Sequence, residues 1–231
     1  MPQFDFSVVL TGEFRDWLIS GFVLSLQLTA IVWLLALPLG TAIALCRLSS
    51  IGALRWFGAA FVEGFRNIPL LMHFLFWYFA MPELLPETGR EWLNTHGAES
   101  ICAVMALTFY TAAFMAEDVR SGIRAVPATQ AEAARALGFG FLASMRRIVL
   151  PQAIRITVPP LISQTLSLWK NTSIATVIGT AELMYQAQRV ESSSFRGVET
   201  FAVTTIAYLS VSLLITALAV WYQRHFPVRA S

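Results

Sequence analysis

The chain has 231 residues, of which 56% are hydrophobic and only 13% are charged, and its mean hydropathy is +0.63. A soluble domain carries about 25% charged residues, so the composition excludes a soluble enzyme and indicates an integral membrane protein. The net charge of +2 is small, and we expect no nucleic-acid partner.

Taken in order, the chain contains five apolar stretches that approach the length of about 20 residues needed to cross a bilayer. They are residues 17–45, 56–80, 100–116, 154–178 and 201–221. No soluble domain lies beyond these spans, so we expect an all-α membrane protein of about five transmembrane helices that forms one domain over residues 1–231. We expect Glu117 and Asp118 to close the third span and to pair with Arg120 or Arg124.

The second span is interrupted. Glu63 and Arg66 lie inside it, just before Pro69, which suits the first position of a new helix. This predicts a shallow helix that re-enters as a deeper one. The spacing of Glu63 and Arg66 favours an ion pair within one helix, and the alternative for Arg66 is contact with a passing carboxylate.

The fourth span is unusually polar. Burying Lys170 without a partner would cost about 2.5–3.5 kcal/mol, so its side chain should meet either a structural partner or a water-filled substrate path. Pro159 and Pro160 interrupt the backbone hydrogen bonds of this span, which is tolerated only against protein or water. We therefore place this helix at a pathway, with Thr165, Thr172 and Ser173 expected to bond neighbouring helices.

Arginine placement predicts the orientation of the chain. Ten arginines lie in the first connection, the loop after the third span and the C-terminal tail, whereas four lie in the N-terminus and the other two loops. We expect the N-terminus outside and the C-terminus in the cytoplasm.

The loop after the third span contains a punctuated polar segment, residues 127–151. Thr129 and Glu132 match a capping box, and Gly138 stands where a glycine ends a helix, which predicts a cytoplasmic helix over about 129–138. A basic amphipathic stretch follows, and we expect Pro151 to end it. Spacing alone leaves two roles open: a connector resting on lipid or a docking element.

The same segment resembles a family motif. Glu132-Ala133-Ala134, Gly138 and Ile148-x-Leu150-Pro151 resemble the complete EAA motif of ABC-importer permeases. In that family the motif is a coupling helix that docks on a separate ATPase subunit. The resemblance implies a type I importer permease fold, with ATP and Mg²⁺ bound by partner subunits and no cofactor in this chain. It places ATPase contacts at Thr129, Gln130, Glu132, Ala133, Ala134 and Gly138.

Other segments resemble the polar amino-acid branch of these permeases. They include Phe65-Arg66-Asn67-Ile68-Pro69-Leu70-Leu71, the run 116–130, Trp169-Lys170-Asn171-Thr172-Ser173 and residues 179–183. The chain departs from the branch at His73, usually Gln, and at Ser121, usually Gly. The stretch around 65–87 is most similar to glutamate/aspartate permeases.

This resemblance implies a bacterial inner-membrane permease that imports an amino acid with a second permease, an ATPase dimer and a periplasmic binding protein. We take the candidate substrate-path residues to be Arg66, His73, Gln164, Lys170, Asn171 and Thr172.

Two other functions stay open. An ion-gradient-driven secondary transporter could use Lys170 and Glu63 for coupling, although no inverted repeat is visible. A non-transporting membrane scaffold could use the cytoplasmic helix to recruit a partner. Catalysis is not expected, because the sequence has no nucleotide-binding or metalloprotease motif, and the three dispersed histidines suggest no metal site.

Overall fold

A computed structural model describes residues 4–226, and this part of the chain is helical with no strand. The helices are α1 (Ser7–Leu10), α2 (Gly12–Leu48), α3 (Gly52–Arg66), α4 (Leu70–Leu75), α5 (Glu87–Thr95), α6 (Ala98–Arg124), α7 (Ala128–Ala136), α8 (Phe141–Ser144), α9 (Leu150–Asn171), α10 (Leu183–Ser194) and α11 (Gly197–His225). A π turn (Phe76–Ala80) and a 3₁₀ turn (Met81–Leu84) extend α4; a second π turn (Met145–Val149) joins α8 to α9, and a 3₁₀ turn (Thr172–Ile178) follows α9.

Three of these helices, α2, α6 and α11, are long and apolar enough to cross a membrane. They contain the first, third and fifth predicted spans. Glu117 and Asp118, predicted to close the third span, do not end the helix, because α6 continues to Arg124. The Glu117 carboxylate forms ion pairs with both Arg47 and Arg120, so its charge is matched inside the helix bundle.

The second predicted span is two helical pieces, and the predicted interruption is confirmed. Pro69 occupies the N-cap of α4 rather than its first helical position. The predicted Glu63–Arg66 ion pair is wrong: the Glu63 carboxylate accepts a hydrogen bond from Asn67 Nδ2 at 2.9 Å. The Arg66 guanidinium instead lies 4.9 Å from the centroid of the Phe114 ring on α6.

The fourth predicted span begins earlier than expected. Pro151 does not end the basic stretch, because it falls in the first turn of α9, where a missing backbone N–H costs little. The Leu150 amide donates to the Met145 carbonyl, so the chain passes from α8 into α9 through the π turn without a break. Pro159 and Pro160 lie within α9, which remains helical to Asn171.

The core forms where α2 crosses α6 at close range. A Cβ atom at Gly40 would lie 2.8 Å from the Ala112 carbonyl oxygen and 3.0 Å from Met115 Cβ. Only glycine permits this approach, as is usual for membrane helices that pack through small residues. Beside the contact, the Trp77 ring stacks on Phe109 with 5.0 Å between centroids, which ties the α4 extension to α6.

We predict that Gly40→Ala destabilises the protein by about 1–3 kcal/mol, because the backbone of α6 stands where the new methyl group must go. Thermal melting of the purified protein should show a lower midpoint. Gly64→Ala is the matched control, since no atom lies within 4 Å of a Cβ at this helical glycine. Equal melting midpoints for the two variants would contradict the prediction.

Candidate functional site

The polar segment after α6 folds as predicted at one end and not at the other. The predicted capping box is wrong: α7 starts at Ala128 with Pro127 as N-cap, so Thr129 already lies within the first turn, and no side chain caps the helix. Gly138 does end the helix, with φ of +83°. The Gly138 amide donates to the Arg135 carbonyl and the Phe139 amide to the Ala134 carbonyl, which is the Schellman arrangement.

One face of α7 is free and the other is anchored. Five of the six predicted ATPase-contact residues are exposed: Thr129, Gln130, Glu132, Ala133 and Gly138. Ala134 is different, since it is only 1% exposed. Ala131 packs against the cluster of Val126, Val149 and Ala153, which attaches α7 to the end of α6 and the start of α9.

An apolar patch extends the free face of α7. Leu137, Phe141 and Leu142 each expose more than three quarters of their surface. Single exposed apolar residues are common, but three such side chains beside a short exposed helix are typical of a protein-docking surface. None of these three residues was predicted as a contact from the sequence, because nothing in their local pattern distinguishes them from buried apolar residues.

A polar cleft of about 310 Å³ lies between α6 and α9. Its lining residues are Tyr110, Thr111, Phe114, Gln164, Ser167, Leu168 and Asn171. Gln164 and Asn171, both assigned to the substrate path from sequence, therefore face the same cavity. Arg66 reaches the edge of this cleft through its contact with the Phe114 ring.

Asp118 is fixed at the same cleft. Gln164 Nε2 donates to Asp118 Oδ2 at 2.9 Å, so Asp118 does not pair with an arginine as predicted, whereas Glu117 does pair with Arg120. The sequence analysis did not place Asp118 in the path. Tyr110, Phe114 and Asp118 are four residues apart and share one face of α6, so helical periodicity could have found them.

Lys170 lies next to Asn171 on α9, and its side chain is exposed. Within residues 4–226 it forms no ion pair, and no carbonyl accepts a hydrogen bond from it. The structural partner considered from the sequence is therefore not found in this part of the chain, and the ammonium group is available to water, substrate or another subunit.

The other two predicted path residues do not line the cleft. His73 is buried one layer behind it, where its Nε2 lies 3.1 Å from the Phe65 carbonyl oxygen and its ring meets the edge of Tyr110. The Thr172 hydroxyl donates to the Trp169 carbonyl at 2.8 Å, within its own helical segment, and it also interacts with the Tyr208 side chain of the neighbouring helix α11. The Ser173 hydroxyl likewise donates to the Lys170 carbonyl of its own segment, at 2.7 Å. The predicted bond at Thr165 is present, because its hydroxyl accepts from Trp33 Nε1 at 3.0 Å.

A buried carboxylate fixes the helices beyond α9. Glu182 is fully buried and caps α10, accepting hydrogen bonds from the Met184 and Tyr185 amides at 2.9 Å each. It also accepts from Ser25 of α2 at 3.3 Å and from Tyr208 of α11 at 3.0 Å. Glu182 therefore joins α2, α10 and α11 through one side chain. Only its place before the helix could have suggested the cap.

A helical bundle with an exposed short helix at one end and a polar cleft between two long helices defines a membrane transport subunit that acts with partner proteins. Residues 10–228 match the family described as binding-protein-dependent transport system inner membrane component. The chain belongs to this family, and it is a multi-pass inner-membrane protein. The family recognised from sequence is thereby confirmed.

Several relatives agree with this assignment. The chain is 40% identical over 193 residues to the probable glutamine ABC transporter permease protein GlnM of Bacillus subtilis, covering 84% of this chain and 85% of the relative. It is 32% identical over 215 residues to the glutamate/aspartate import permease protein GltJ of Escherichia coli K12, covering 91% of this chain and 87% of the relative.

The solved structures confirm the predicted fold. The structure of an amino acid ABC transporter with histidines superposes with a TM-score of 0.85 at 29% identity, covering 97% of this chain and 100% of that one. The chain is therefore the permease subunit of an amino-acid ABC importer. Its relatives are permease proteins rather than enzymes.

We predict that Glu182→Leu lowers the melting midpoint of the protein, because it removes a helix cap worth about 1 kcal/mol and leaves buried donors unpaired. Glu182→Gln should lower it less, since an amide oxygen still accepts. Glu91→Leu, at an exposed position of α5, provides the control. A Glu182→Leu protein that melts with the control would show that the cluster does not stabilise the fold.

Proposed function

We propose that this permease imports glutamate or aspartate, driven by ATP hydrolysis in a separate ATPase dimer that docks on α7. The observation that carries the proposal is the free face of α7, which ends in a Schellman turn at Gly138 and presents Glu132 and Ala133 of the EAA segment away from the bundle. ATP and Mg²⁺ would be held by the ATPase subunits. The arginine distribution supports a cytoplasmic position for α7, an N-terminus outside and a C-terminus inside.

The packing of α7 supports a lever mechanism. Through Ala131 the helix rests on Val149 and Ala153, and α9 continues from there to Gln164 and Asn171 in the cleft. Movement of a docked ATPase would therefore reach the cleft through one continuous helix. The ATPase dimer shifts the population between inward- and outward-open states to the extent that it binds them differently.

The cleft suits half of a shared pathway. It opens between α6 and α9 instead of being enclosed, so a second permease, identical or related, would complete it. A periplasmic binding protein would deliver the amino acid to the loops on the opposite side from α7. The relatives GltJ and GltK, both glutamate/aspartate import permeases, are consistent with a pair of related subunits.

Arg66 is the feature that supports an acidic substrate. Its guanidinium lies at the rim of the cleft, and guanidinium groups bind carboxylates through two parallel hydrogen bonds. The exposed ammonium of Lys170 adds a second positive charge on α9 near the cleft.

A second substrate, glutamine, is favoured by different observations. Gln164 and Asn171 present amide groups to the cleft, and the Asp118 carboxylate beside Gln164 would repel an acidic side chain. The probable glutamine permease GlnM of Bacillus subtilis is also 40% identical to this chain.

We predict that Gly138→Val reduces stimulation of ATP hydrolysis by loaded binding protein about tenfold, because a β-branched residue is strained by more than 1 kcal/mol at positive φ. The assay uses the permease reconstituted with its co-purifying subunits. Gly140→Val is the control, since Gly140 has φ of −67° and open space around it. If no ATPase co-purifies and gradient-driven uptake persists, the secondary-transporter alternative replaces this proposal.

We predict that Arg66→Gln raises the half-saturating concentration for glutamate uptake about tenfold and leaves that for glutamine unchanged, because only glutamate offers a second carboxylate. Uptake into vesicles that contain the complete importer measures both values. Arg55→Gln, at an exposed position earlier on α3, is the matched control. Glutamine uptake that exceeds glutamate uptake in the unmodified protein would favour the second substrate.

A further inference from the structure

An apolar groove of about 660 Å³ lies between α2, α9 and α11, away from the polar cleft. The groove exists because α11 packs on α9 and α10 and leaves the middle of α2 uncovered. Val211, Ile215, Leu218 and Tyr222 line it from α11, and Trp33 faces them from α2. Several lining residues are also exposed at the outer surface, including Leu218 at 61%, so the groove is open to the membrane.

The groove has the length of one leaflet. From Val211 to Tyr222 an α-helix rises about 16 Å, which is close to half of the bilayer hydrocarbon thickness of about 30 Å. Trp221 and Tyr222 stand at its end, where amphipathic rings mark the boundary between hydrocarbon and headgroups. The lining thus begins near the bilayer centre and ends at one interface.

A positive charge lies just beyond that end. Arg224 follows the two aromatic residues in the last turn of α11, and its side chain is exposed. It forms no ion pair within the described range 4–226. A guanidinium at this depth is suited to the phosphate of a lipid headgroup, since basic residues near a membrane surface attract anionic lipids.

The polar side-chain atoms of Thr29, Trp33, Thr165 and Trp169 in the lining already form hydrogen bonds. Trp33 Nε1 donates to the Thr165 hydroxyl at 3.0 Å, and the Thr29 hydroxyl donates to the Ser25 carbonyl at 2.8 Å. An extended peptide segment would have to bury backbone groups here without partners, which is costly. Hydrocarbon carries no such cost, so the lining favours an acyl chain.

The position of the groove argues against a second permease as its occupant, a step that rests on the proposed pairing at the cleft. On α9 the groove is lined by Ile162, Thr165 and Trp169, whereas the cleft is lined by Gln164 and Asn171. At 3.6 residues per turn these two faces are about 140° apart. A subunit that covers the cleft therefore leaves the groove facing lipid.

We propose that this groove binds one acyl chain of an anionic phospholipid, taken from the leaflet at the carboxyl end of α11, with its phosphate at Arg224. The bound chain completes the packing between α2 and α11.

Native mass spectrometry of the complete importer, purified in detergent with added phosphatidylglycerol or phosphatidylcholine, tests this site. We expect one retained phosphatidylglycerol for each copy of this chain. Ile215→Trp fills the groove and should abolish this retention. Leu213→Trp adds the same side chain on the nearly opposite face of α11, where Leu213 is 58% exposed, and should retain the lipid. Equal retention in both variants, or none in the unmodified protein, overturns the proposal.

Two further measurements separate the acyl and headgroup contacts. Arg224→Gln should remove a preference of about fivefold for phosphatidylglycerol over phosphatidylcholine while leaving one lipid bound. An unchanged preference would refute the headgroup contact. Brominated acyl chains bound in the groove should quench the fluorescence of Trp33. The Trp33→Phe variant leaves the groove open and should therefore show a smaller quenched fraction of its fluorescence. An unchanged quenched fraction would place the chain elsewhere.

Discussion

A charge or buried polar group among membrane helices must find a partner, and this requirement governs how the bundle is built. Glu117 on α6 is matched by Arg47 of α2 and by Arg120 of its own helix. Glu182 has no basic partner in its hydrogen-bond network and is held by two backbone amides and two hydroxyl groups. The first arrangement joins α2 to α6 near the C-terminus of α2, and the second joins the first half of α2 to α10 and α11.

Two charged groups at or near the cleft are left outside these ion pairs. Asp118 is satisfied by Gln164 alone, and Lys170 has no ion-pair partner within residues 4–226. A transport path needs such incompletely matched groups, because a substrate or water has to replace one contact with another as it moves. The same helix bundle thus contains charged groups that are fully paired and hold helices together, and charged groups beside a cavity that are incompletely paired.

Hydropathy alone predicted α2, α6 and α11, because each of these helices is apolar over a length that can cross a membrane. It did not show that α6 continues past Glu117 and Asp118, because the partners of these acids, Arg47 and Gln164, lie far away in the sequence. Gly138 could be predicted as a helix end because a positive φ is a local requirement. Thr129 could not be assigned correctly, because the helix begins two residues earlier than predicted, with Pro127 as N-cap, and Thr129 then lies inside its first turn.

At the candidate cleft, too, some residues could be predicted from the local sequence and others are revealed only by the packing of the helices. The polar character of α9 indicated Gln164 and Asn171, but it also indicated Thr172, whose hydroxyl turns back to its own backbone. Asp118 meets Gln164 beside the cleft only because α6 packs against α9. That crossing also gives α9 two faces with different surroundings, a polar one toward the cleft and an apolar one toward the groove at α11. A rotation of α9 driven from α7 would therefore change the polar cavity and the lipid-facing groove together, which links the packing of the surrounding bilayer to the position of the substrate path.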